Sequence, residues 1–96
     1  ERRSLLEHVR ASGEHLSRYN KRVLLYAAVR NAFLARLRRR DPVSAALSGE
    51  PQVSALSARL GLAPELIRAA LQTPASYDKA TFRERVSTLI HMRNHL

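Results

Sequence analysis

Apolar residues between positions 21 and 39 recur at the period of a helix, and this stripe limits the possible folds more than any other feature. Val23, Tyr26, Ala27, Phe33, Leu34 and Leu37 fall on one side of a helical wheel. Leu25, Ala28, Val29 and Ala32 widen the surface, so the first half of the segment is apolar nearly all round. Such a helix is expected at the centre of a bundle, with several neighbours packed on it. Arg36, Arg38, Arg39 and Arg40 close the segment, where cations suit the negative end of the helix dipole.

The flanking sequence is also helical, and no stretch alternates apolar and polar residues long enough for a strand. Ser4 and Glu7 form an S-x-x-E capping box that opens a helix over 4–18, with Leu5, Val9, Gly13 and Leu16 on one side. Gly13 weakens that helix by about 1 kcal/mol relative to Ala, or admits a close neighbour. Asp41-Pro42 supplies an N-cap and a first-turn proline, and Gly49 a stop, for a short helix over 43–47. A helix over 51–60 stops at Gly61, and one over 64–72 starts on Pro64 and breaks at Thr73-Pro74. Asp78 caps a last helix over 79–95, whose Phe82, Val86, Leu89, Ile90 and Met92 are expected to face the core. With 96 residues, 45% of them apolar, the chain should form one domain over 1–96. The expected fold is all-α: a compact bundle of five to six helices with no sheet.

Charge divides the chain. Residues 1–40 hold eleven Lys/Arg against three Glu, and residues 41–96 six against five acidic residues, so +8 of the net +9 lies in the first part. That half is drawn to something anionic: nucleic acid, a lipid surface or an acidic protein. Fifteen of the seventeen basic residues are Arg, which is read as coding bias rather than as a phosphate site. With no Cys, thiolate metal chemistry and disulfides are excluded. The longest apolar run, Val23–Val29, is seven residues, too short to span a bilayer. Because the sequence opens on Glu1, a piece of a longer protein is expected.

Three constellations could carry chemistry. The corner from Val53 to Leu71, with Ser57, Gly61, Leu62 and Ile67 at its turn, resembles a helix-turn-helix. Its outward residues would be Pro64, Glu65, Arg68 and Gln72, with Arg68 the only cation, which makes a poor face for reading DNA. Arg30 lies in the middle of the apolar stripe and must either snorkel outward or meet a carboxylate. Glu7 and Glu14 are its candidate partners if 4–18 packs along 21–39; a structural ion pair is favoured over an anion site. His91 and His95 stand at i, i+4, a metal-chelating spacing, but without the zincin glutamate. His8 and His15 lie seven apart with no third ligand. No phosphate loop or nucleophile constellation is present, so no catalytic residue, metal or cofactor is expected, and the domain reads as non-enzymatic.

The run Arg2-Arg3-Ser4-Leu5-Leu6-Glu7-His8-Val9-Arg10-Ala11-Ser12-Gly13 resembles the start of the cytoplasmic tail of a bacterial membrane-anchored family of unknown function. Genes of that family stand beside MoxR-type AAA+ ATPases. The likeness continues through Leu24–Arg30, Arg36–Arg40, Leu60-Gly61-Leu62, Ala69–Leu71 and Leu89–Asn94. Ser17 stands where the family often has an aromatic residue, and Ala63 where a Ser cap is usual. The resemblance implies a tail on the cytoplasmic face of the inner membrane, just after a transmembrane segment, with Arg2 and Arg3 obeying the positive-inside rule. It further implies an adaptor with an anionic membrane surface beside it and a protein partner, for which a MoxR-type ATPase is the candidate. Arg36, Arg38, Arg39, Arg40, Glu65, Arg68 and Gln72 are the candidate interaction residues. The competing reading is a helix-turn-helix domain that binds nucleic acid.

Overall fold

A computed structural model describes the backbone of residues 2–96 and the side chains of residues 17–96. Helices α1 (Arg2–Arg40), α2 (Pro42–Ala46), α3 (Gly49–Leu60), α4 (Pro64–Leu71) and α5 (Lys79–Asn94) make an all-α bundle, with no strand among the described residues. The expected break at 18–21 does not form: α1 is one helix of 39 residues, about 58 Å long. The physical reason is local. Gly13 and Asn20 each cost at most about 1 kcal/mol in a helix interior, and no proline stands between them to force an end. The Ser4–Glu7 capping box and the side chains of His8 and His15 lie outside the described side chains.

Downstream, the helix ends follow short-range chemistry. Asp41 caps α2, accepting from the Ser44 N–H at 3.1 Å and from the Ser44 hydroxyl at 2.6 Å. Those bonds satisfy Ser44, the buried polar side chain of the core. Gly49, expected to stop the short helix, instead opens α3 at φ +62°, a left-handed conformation that favours glycine. Gly61 ends α3 at φ +69°, with its N–H donating to the Ser57 carbonyl at 2.9 Å. Asp78 caps α5 by accepting from the Thr81 N–H at 3.2 Å.

The chain winds so that α5 returns to lie along α1, with α2, α3 and α4 closing the circuit between them. Tyr26, Phe33 and Leu37 of α1 share one core with Val53 and Leu56 of α3, Ile67 and Ala70 of α4, and Leu89 and Met92 of α5. Two expectations fail here. The apolar surface of α1 is not enclosed: Leu24 is 71% and Leu25 49% exposed, and Ala27, Ala28 and Ala32 also face solvent. Only α2 and α5 pack extensively on α1, so the helix buries one face and lies along a side of the bundle. On α5 only Leu89 and Met92 are buried; Phe82 and Val86 are half-buried and Ile90 is 44% exposed.

Candidate functional site

Arg22, Tyr26 and Arg30 project one turn apart from α1, and each reaches a backbone carbonyl at the end of α4 or in the loop after it. Arg22 Nη1 donates to Tyr77 O at 3.0 Å, and Arg30 Nε to Leu71 O at 2.9 Å. The Tyr26 hydroxyl lies 2.7 Å from both Ala70 O and Gln72 O, which share its single proton. The last carbonyls of a helix have no partner of their own and carry its negative dipole end. Tyr26 and Arg30 therefore act as a C-cap supplied by another helix. Burial raises the Tyr26 phenol above the ordinary tyrosine value, and the nearby Arg30 charge opposes that shift.

The same contacts correct the ion-pair expectation for Arg30. Glu14 and Glu7 stand 16 and 23 residues before it on one continuous helix. That spacing puts them about 24 and 35 Å away along the axis, beyond the reach of a side chain. Their side chains lie outside the described residues. Arg30 is half-buried, and a backbone carbonyl takes the place of the carboxylate.

The helix-turn-helix-like corner forms, with Ile67 buried and the Ser57 hydroxyl donating to Leu62 O at 2.7 Å across the turn. Arg68, the one cation of α4, is held by Glu50 in a two-pronged pair, Nε to Oε1 at 2.6 Å and Nη2 to Oε2 at 2.8 Å. The bond holds the Glu50 carboxyl below the usual range and raises Arg68. Arg68 and Gln72 line a pocket of about 200 Å³ together with Arg30, Glu50 and Gln52. Glu65 is exposed in the first turn of α4, outside that pocket.

Arg38, Arg39 and Arg40 are exposed in the last turn of α1, whereas Arg36 is half-buried, its Nε without a hydrogen-bond partner among the described residues. His91 and His95 lie with ring centroids 4.1 Å apart, and His95 Nδ1 is 2.8 Å from the His91 carbonyl. Among the described residues no group of three or more His, Asp or Glu gathers as a metal site.

Sequence reasoning missed a concavity. A groove of about 500 Å³ runs between α1 and α5, lined by Arg22 and Leu25 on one wall and by Lys79, Phe82, Arg83, Val86, Ser87 and Ile90 on the other. Its floor is apolar and its rim is cationic. The signal was present in the sequence: Phe82, Val86 and Ile90 repeat at i, i+4, i+8, a line separate from buried Leu89 and Met92. Reading all five as one core stripe concealed the second line. No family model, curated protein or solved structure matches the chain. No described helix is long and apolar enough to cross a membrane.

Proposed function

We propose that this chain is a non-enzymatic adaptor domain that holds a protein partner beside an anionic surface. The observation that carries the reading is the groove between α1 and α5, where apolar side chains stay open to solvent although the chain has a complete core elsewhere. The resemblance of the opening run and of the Arg36–Arg40 cluster gives the setting: the cytoplasmic face of a bacterial inner membrane, with a MoxR-type AAA+ ATPase as partner. The basic α1 faces the headgroups, each nearby cation contributing about 1 kcal/mol of attraction.

Nucleic-acid binding is the weaker reading because Arg68, the cation of the would-be reading helix α4, is already engaged by Glu50. Titrating the chain against vesicles rich in phosphatidylglycerol, against random duplex DNA, and against a purified MoxR-type ATPase tests the proposal. Binding to vesicles and to the ATPase is expected. Tight, steeply salt-dependent DNA binding without vesicle affinity overturns it.

A further inference from the structure

We propose that the groove between α1 and α5 is the docking site for an acidic amphipathic helix of a partner protein. This rests on the reading of the chain as an interaction domain and names the class of element its groove accepts. Phe82, Val86 and Ile90 form a straight apolar track along α5, and Leu25 faces them from α1. The track rises about 12 Å over the eight steps from Phe82 to Ile90, roughly two turns of a partner helix lying alongside. A guest helix with apolar residues at i, i+3 or i+4, and i+7 meets it point for point.

The rim selects the sign of charge. Arg22 stands on the α1 wall, Lys79 and Arg83 one turn apart on α5, and among the described residues no carboxylate lines the groove. Arg22 is held in place by the Tyr77 carbonyl, so its cation is positioned before any partner arrives. Carboxylates flanking the apolar stripe of a guest would meet these three cations, an arrangement that fixes specificity and accelerates encounter.

Other occupants fit less well. A second copy of the chain brings a net charge of +9 to a cationic rim. A bilayer is met by apolar side chains that project, whereas these line a concavity. A small apolar ligand needs most of its surface enclosed, and this groove is open along one side.

The test uses the whole chain and a fluorescein-labelled peptide of about 16 residues, long enough to hold helix on contact. It carries Leu at i, i+4, i+7 and i+11 with Glu on its other face. A matched peptide carries Lys in place of Glu. The Glu peptide is expected to bind, by fluorescence polarisation, on the order of tenfold more tightly than the Lys peptide. Its affinity should fall as salt shortens the screening length from about 10 Å at 0.1 M. Ile90→Glu and, separately, Arg83→Glu should each weaken it by on the order of tenfold. Both positions are exposed, so the thermal midpoint of each variant checks that the fold is kept. Methyl shifts on titration should centre on Leu25, Val86 and Ile90. Equal binding of the two peptides, indifference to both variants, displacement of the peptide by anionic vesicles, or shifts centred elsewhere each overturn the proposal. ATPase binding that ignores Ile90→Glu would remove the groove while leaving the adaptor reading; peptide binding without ATPase binding would do the reverse.

Discussion

The inner face of α1 and the outer face of α5 carry the same kinds of residue at the same helical spacing. Tyr26, Phe33 and Leu37 are 2%, 0% and 1% exposed, inside the core they share with residues of α3, α4 and α5. Phe82 and Val86 are only half-buried, and Ile90 is 44% exposed, beside an α1 wall to whose apolar floor, among the described residues, Leu25 contributes. The difference lies in the neighbours and not in the stripes. An apolar row at helical spacing states that a face gains free energy by being covered; it does not say that the same chain supplies the cover. On α1 the chain covers Tyr26, Phe33 and Leu37, and on α5 it leaves Phe82, Val86 and Ile90 partly open.

The sharpest way to break this comparison is to truncate one residue of the covered row. Phe33→Ala should lower unfolding free energy by about 3–5 kcal/mol in urea denaturation, because a fully buried ring leaves a cavity. Against a typical total of about 5–15 kcal/mol that loss can unfold the domain, so Phe33→Leu is the milder companion. A Phe33→Ala loss below about 1 kcal/mol would mean that the core described is not what holds the helices together.

A smaller effect tests how α1 grips α4. Tyr26→Phe keeps the ring and removes the hydroxyl, leaving the Ala70 and Gln72 carbonyls short of a donor, at a cost of about 1–3 kcal/mol. Its pH dependence follows from the raised phenol. A folded value above the unfolded one favours the protonated form, so this contribution is complete below the ordinary tyrosine value of 10.0. It is lost as pH rises through the folded value. The parent should therefore lose stability faster than Tyr26→Phe above about pH 10, and parallel alkaline limbs would show that the phenol is not held as described.

These contacts also mark how much was legible beforehand. The ends at Asp41, Gly61, Pro64 and Asp78 were readable because caps, left-handed glycines and first-turn prolines act within a few residues. The fusion of 4–18 with 21–39 was not, since the expected break at Asn20 rested on a weak preference and no true terminator. Arg30 was recognisable as a cation inside an apolar stripe. Its partner was not, because the carbonyl of Leu71 becomes a neighbour only once α4 docks on α1. Phe82, Val86 and Ile90 were visible as apolar but merged with Leu89 and Met92, and a wheel drawn for α5 alone separates the two rows. Charge on the corner was visible as sparse, yet the capture of Arg68 by Glu50 needed the packing of α3 on α4.

The smallest expected effect sharpens the comparison most. Ile90→Ser removes an apolar side chain at the same helical spacing as Phe82 and Val86, so periodicity alone would assign it a core cost of several kcal/mol. Because the side chain is 44% exposed, little packing is lost, and unfolding free energy should move by about 0.5–1 kcal/mol at most. In the same sample, affinity for the acidic helical peptide should fall on the order of tenfold. Stability and binding thus separate at one residue. A large loss of stability would return Ile90 to the core and close the groove as a site, whereas a small loss with unchanged peptide affinity would leave the open row on α5 without its proposed occupant.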